Sequence, residues 1–184
     1  MPLHLIIGSM FSGKTETIIS IARRYTAINK KVLFINHILD QRYNKDHVTS
    51  HNGTKQECLS LEYIKDLSAK LIKDHDVIII EESQFFTDLY QTFRHFHDTE
   101  LLLHKSFVVA GLSGDYRANK FGEILDLIPF CDKLEKLSGF CAICKDETLG
   151  HFTKLLDNSL DSKQIIVGAG EKYHCVCRKC FYNK

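Results

Sequence analysis

Residues 3–15, LHLIIGSMFSGKT, restrict the chain more than any other stretch. An apolar run over 3–7, long enough for one buried strand, leads into Gly8-Ser9-Met10-Phe11-Ser12-Gly13-Lys14-Thr15. That octet satisfies G-x-x-x-x-G-K-[ST] at each fixed position. Ile18, Ile19, Ala22 and Tyr25 then recur at helical spacing, so a helix is expected over 16–27. Strand, glycine-rich turn and helix in this order build a phosphate-binding loop. Its glycines let backbone N–H groups converge on phosphate oxygens, and the helix adds the positive end of its dipole. Lys14 is expected to reach the outer phosphates and the Thr15 hydroxyl to hold Mg²⁺. A nucleoside triphosphate is the expected ligand.

The remaining apolar runs set the architecture. Residues 32–36 (VLFIN), 76–80 (DVIII) and 107–111 (FVVAG) are each dominated by an apolar run, as in parallel strands buried on both faces. Helical patterns are read over 61–73, 87–103 and 121–128, the last closed by Pro129, with extended chain again at 133–140. Strands alternating with helices give an α/β fold with a mainly parallel sheet. The strand over 76–80 ends in Glu81 and Glu82, at the end of a sheet where phosphate-loop enzymes gather their ligands. In extended chain the two carboxylates point to opposite sides, which suits different tasks: one for Mg²⁺, the other for a proton. Phe86 reads as core, and Phe85 as core or as a wall of a base pocket. The polar segment over 40–55, which includes His51, is too long for a routine connection and is either disordered or functional. His95 and His97 carry no spacing signal and read as surface.

Composition narrows the class of partner. Lys+Arg 24 against Asp+Glu 23 gives a net charge of +1, which offers no electrostatic footprint for nucleic acid or a membrane surface. No apolar run approaches the roughly 18 residues of a membrane span, and nothing near Met1 has the pattern of a signal peptide. An intracellular, cytoplasmic protein acting on small molecules is expected.

Four of the seven cysteines form two CxxC pairs, Cys141/Cys144 and Cys177/Cys180. Two such pairs complete a tetrahedral thiolate site, and a closed shell of four leaves no position for water, so the expected metal is a structural Zn²⁺. A redox role is the alternative, and Cys175 or His174 could each replace a ligand. Cys58 and Cys131 read as ordinary buried thiols. Two units are expected: a phosphate-loop nucleotide-binding domain over 1–136 and a small zinc-binding domain over 137–184. Between the cysteine pairs runs a long loop, anchored at both ends and suited to closing over a ligand.

GSMFSGKT, VIIIEESQFF, GLSGDYRANKFG, the paired CxxC and IVGAGEKYHCVCRKC occur in an order that resembles the type II thymidine kinases, a tetrameric family of cytosolic and viral enzymes. The resemblance implies a phosphate-loop NTPase core with a zinc-binding "lasso". It also implies ATP-dependent transfer of the γ-phosphate to the 5′-hydroxyl of thymidine, and of deoxyuridine, giving dTMP for DNA synthesis by nucleoside salvage. It places Gly8, Ser9, Met10, Phe11, Ser12, Gly13, Lys14 and Thr15 on the triphosphate, with Glu81 near the Mg²⁺, and Glu82 as general base. Met10, Phe85, Leu112, Tyr116, Phe121 and Thr153 fall on the thymine pocket and Tyr173 on the lasso. Feedback inhibition by dTTP and a homotetramer are implied as well. The family pattern has Asp at Glu81, Pro at Ser9 and Lys120, and Phe at Tyr116. Loss of zinc is expected to act through the lasso, weakening thymidine binding while sparing ATP.

Two other classes compete with this reading. One is a different phosphate-loop enzyme, such as a motor or a kinase for another small molecule. The other is a non-enzymatic zinc module that binds nucleic acid through Lys172, Arg178, Lys179 and Lys184, which the near-zero net charge disfavours.

Overall fold

A computed structural model describes residues 2–40, 47–49, 55–156 and 172–183. The elements in chain order are β1 (Leu3–Gly8), α1 (Lys14–Thr26), β2 (Val32–His37), β3 (His47–Thr49), β4 (Lys55–Glu57), β5 (Leu59–Leu61), α2 (Ala69–Asp74) and β6 (Val77–Ile80). They continue with α3 (Leu89–Asp98), α4 (Leu101–His104), β7 (Ser106–Leu112), β8 (Lys133–Leu137), β9 (Gly139–Phe140), β10 (Leu149–Gly150), β11 (Phe152–Leu155), β12 (Tyr173–Val176) and α5 (Arg178–Tyr182). His51, most of the polar segment over 40–55 and the loop over 157–171 lie outside the described residues.

Six strands form one sheet in the order β5-β2-β6-β7-β1-β8, and every neighbouring pair is parallel. The period-2 alternation of side chains divides the core between its faces. Leu3, Leu5 and Ile7 of β1, with Ile78, Ile80, Phe107 and Val109, pack against Leu89, Phe93 and Phe96 of α3 and against Leu102, Ile124 and Leu127. Ile6, with Phe34, Val77, Ile79, Val108 and Ala110, packs under Ile18, Ile19, Ile21 and Ala22 of α1. The expected α/β fold with a parallel sheet is thus present as a helix–sheet–helix sandwich. All six strands run the same way, so Gly8, Glu81, Leu112 and Leu137 lie at one end of the sheet, where parallel α/β proteins bind their ligands.

The helical patterns resolve differently in detail. The stretch over 61–73 ends strand β5, makes a 3-10 turn at Ile64–Asp66 and becomes helical only in α2. The Asp88 carboxylate, from the start of α3, accepts from Ile64 N (3.1 Å) and Lys65 N (2.8 Å), a tertiary contact that fixes the turn. The stretch over 87–103 breaks at Glu100, whose φ of 58° is left-handed, into α3 and α4. Residues Ile124–Phe130 form a 3-10 helix that contains Pro129 rather than ending before it.

A buried histidine on β1 is expected to make stability pH-dependent. His4 is 2% exposed on β1, with Glu135 Oε1 3.3 Å from its Nε2. Burial, with Lys133 nearby, outweighs that carboxylate and keeps the ring below its ordinary value. The unfolded chain therefore binds this proton first, near pH of about 6.5. Stability is full above that pH and is lost as pH falls through the window below it. The urea midpoint is expected to drop on acidification through about pH 6, and to drop less in His4→Leu.

Candidate active site and metal centre

The phosphate loop follows from the end of β1. Gly8 closes the strand where a Cβ would stand 2.8 Å from Leu137 O, and Gly13 (φ 82°) caps α1 in a conformation that favours glycine. Phe11 (φ 61°) is also left-handed, a strain on the order of 1–3 kcal/mol typical of ligand-binding turns. Lys14 Nζ reaches back across the loop to Ser9 O at 2.7 Å. Ser12 Oγ is buried without a hydrogen-bond partner among the described residues. A curled backbone with an orphaned hydroxyl, opening onto the start of a thirteen-residue helix, fits a phosphate group.

The two carboxylates separate as expected, for a different reason. Glu81, one residue past β6, still follows the line of the sheet, its N–H donating to Ile35 O at 2.9 Å, and its side chain is buried with Oε1 accepting from the Thr15 hydroxyl. Thr15 and Glu81 therefore form one cluster of hard oxygens beside the loop, the donor chemistry that suits Mg²⁺. Glu82 leaves the strand in a left-handed conformation (φ 49°, ψ 37°), and its Oε2 accepts from Gln84 Nε2 at 2.5 Å. Sequence periodicity could not anticipate that turn.

Several of the residues expected to line a nucleoside pocket meet one another. The Phe85 and Phe121 rings meet edge to face at 5.7 Å, while Phe86 is fully buried core. Leu112 is opposite Gly8 in the β1–β7 register. Thr153 Oγ1 accepts from Met10 N at 3.0 Å. Burial, then the nearby Tyr116, raises the Tyr173 phenol above its ordinary value.

The strands β9 to β12 and helix α5 carry the cysteines. Cys141, Cys144, Cys177 and Cys180 place their sulfurs within 4.8 Å of one another, with Cys144 Sγ 3.9 Å from Cys177 Sγ and 3.6 Å from Cys180 Sγ. A tetrahedral ion with Zn–S of about 2.3 Å needs sulfurs about 3.8 Å apart, so the set fits Zn²⁺. Burial opposes ionisation of Cys141, but the backbone N–H groups of Cys144, Cys177 and Ile143 outweigh it and bring the thiol to about 6. Its neighbours Cys180 and Cys141 push Cys144 up to about 12. Four thiols this close ionise together only around a cation, which a divalent metal supplies.

Cys175 belongs elsewhere. Residues 173 to 176 are a strand, so Cys175 faces away from Val176, which packs with Cys141, Cys177 and Cys180. The Cys175 Sγ lies 3.2 Å from Ser9 Oγ and 3.3 Å from Gly150 O. Its cross-strand partner is Thr153, and together they present one face to the phosphate loop. Gly139 adds a third contact, since a Cβ there would be 2.7 Å from Phe11 O. Cys175→Ser is accordingly expected to retain a full equivalent of zinc by metal analysis, and Cys177→Ser to lose it. Cys58 and Cys131 are half-buried and lie outside the cluster.

A profile of the family described as thymidine kinase matches residues 1–181. The chain belongs to the thymidine kinase family. It is 36% identical over 182 residues to a thymidine kinase of Oryza sativa subsp. japonica, covering 96% of this chain and 65% of that protein. It is 34% identical to thymidine kinase a of Arabidopsis thaliana (96% and 73%) and 32% identical to the thymidine kinase of Sheeppox virus strain KS-1 (98% and 96%). The chain thus spans about two thirds of the rice protein and nearly all of the viral thymidine kinase. No helix among the described residues is long and apolar enough to cross a membrane.

Proposed function

We propose that the protein transfers the γ-phosphate of ATP to the 5′-hydroxyl of thymidine, giving dTMP and ADP in nucleoside salvage. What supports this most is the convergence, at one end of the sheet, of the phosphate loop, the Thr15–Glu81 pair and Glu82 beside the Phe85–Phe121 rings in a chain of this family. In this reading Gly8 to Thr15 bind the triphosphate, and Lys14 exchanges Ser9 O for phosphate oxygens. Thr15 and Glu81 would hold Mg²⁺, which supplies charge neutralisation to the phosphates. Glu82 takes the proton from the 5′-hydroxyl as its oxygen bonds to the γ-phosphorus and the bond to the β-phosphate oxygen breaks. Phosphoryl transfer gains chiefly from such positioning and charge stabilisation.

Met10, Phe85, Leu112, Tyr116, Phe121 and Thr153 form the thymine pocket, and Tyr173 belongs to the lasso. Residues 1–136 act as the nucleotide-binding domain and 137–184 as the zinc-bearing one, in a cytoplasmic homotetramer. Thymidine phosphorylation with labelled ATP tests the function. Transfer to thymidine and deoxyuridine, with purine nucleosides rejected by a pocket sized for one ring, is the expected result; ATP hydrolysis that no nucleoside stimulates would remove it.

The end product dTTP would occupy the nucleoside pocket while its phosphates lie in the donor loop. Added dTTP is expected to inhibit, and inhibition is expected to weaken as thymidine and ATP are raised together. Light scattering of the purified protein checks the tetramer.

A further inference from the structure

Gln84 enters the sequence only as one letter of a motif, yet it is tied to both halves of the site. Its side chain is 3% exposed. Nε2 donates to Glu82 Oε2 at 2.5 Å, and Oε1 accepts from Leu112 N at 3.0 Å. These bonds have opposite sense, so they fix the amide: only an oxygen can meet the Leu112 N–H, which turns the amino group to Glu82. The surrounding backbone leaves space for this arrangement and for little else. A Cβ on Gly111 would lie 2.9 Å from Gln84 Oε1, and one on Gly122 (φ 64°) would lie 2.7 Å from Gln84 Cα. Glu82 itself sits outside regular secondary structure, in the left-handed turn after β6. It caps the 3-10 turn Ser83–Phe85 rather than lying in a strand, and the Gln84 amide is a side-chain group that holds its carboxylate.

We propose that Gln84 is a positioning residue for phosphoryl transfer: its amide holds the Glu82 carboxylate for the 5′-hydroxyl and ties it to the end of β7 that carries Leu112. The proposal rests on the reading of Glu82 as general base. Holding one carboxylate oxygen restricts rotation of the side chain, so the base spends more of its time in reach of the proton, and rate falls steeply when a reacting group is displaced by even an ångström. The same amide links the base to the nucleoside pocket, which keeps the two in register.

The test is a double-mutant cycle between Gln84→Met and Glu82→Gln, with thymidine binding measured alongside turnover. Methionine keeps the length of the side chain and loses both bonds. Gln84→Met is expected to lower kcat about tenfold to a hundredfold, with the thymidine dissociation constant changed less than about threefold. In the Glu82→Gln background the same substitution is expected to change turnover less than about twofold, because the base it positions is gone. An equal loss in both backgrounds would mean that Gln84 only supports the fold, and would overturn the proposal. Should Gln84→Met fail to bind thymidine, Gln84→Asn, an amide one methylene too short to span both partners, takes its place in the cycle with the same two outcomes. Full turnover in Glu82→Gln alone removes the base itself, and is told apart from failure of the tether by that single variant.

Discussion

Glu82→Gln is expected to lower kcat by about 10²–10⁴-fold, the usual contribution of a positioned proton acceptor, while leaving thymidine binding nearly unchanged. The substitution keeps volume and removes only the ability to take the proton. The bond from Gln84 Nε2 can still be accepted by the new amide oxygen, so the turn after β6 need not rearrange. Loss in kcat without loss in affinity is what removal of an interaction made only in the transition state produces. Stopped turnover measured together with calorimetric thymidine binding distinguishes this from a folding defect. If turnover persists, the proton goes elsewhere and Glu82 is not the base.

Cys177→Ser carries the second large effect. Binding free energy at structural zinc sites is commonly about 10–16 kcal/mol at neutral pH, more than the whole stability of most domains, so a broken ligand set should loosen the strands around it. The sequence suggests that only thymidine binding suffers. The structure changes that expectation, because the same strands hold the phosphate loop. Thr153 Oγ1 accepts from Met10 N, Cys175 Sγ contacts Ser9 Oγ, and Gly139 lies against Phe11 O. Hydrogen bonds of this kind contribute about 1 kcal/mol each. Losing the first two would then weaken ATP binding by roughly tenfold or more, in parallel with thymidine. Titration of Cys177→Ser with a non-hydrolysable ATP analogue decides the point: affinity equal to that of the unmodified protein would mean that the loop holds its shape without the support of the cysteine-bearing strands.

Local pattern carried a large part of the fold. The octet Gly8 to Thr15, the apolar runs that became β2, β6 and β7, and the two CxxC pairs were all legible, because each depends on residues adjacent in the chain. The features that escaped depend on partners far away. Asp88 shapes the turn at Ile64, Gln84 is oriented by Leu112, and Cys175 meets Ser9 across nearly the whole sequence. For Cys175 the missing information was strand phase: CxxC spacing favours Cys177, but only the β11–β12 register shows which way residue 175 faces. In the case of Glu82, spacing predicts divergence from Glu81, and a left-handed residue at the strand end is the means. The closeness of Gly122 to Gln84 had no local signal, although a glycine in a loop after a strand invites such a contact.

The position of β1 in the sheet bears on how the protein is made. Its neighbours on either side, β7 and β8, are both synthesised well after it, with Leu3 paired to Phe107 and His4 to Lys133. A nascent chain released before β8 has emerged would carry the whole GSMFSGKT octet and still lack the strand on one side of it, including the Leu137 carbonyl that Gly8 packs against. Pairing across so much sequence is slow to form, and an apolar strand left unpaired in a growing chain is open to association with other chains. Nucleotide capture should therefore arise late in synthesis and abruptly, as the second half of the sheet closes around the first strand.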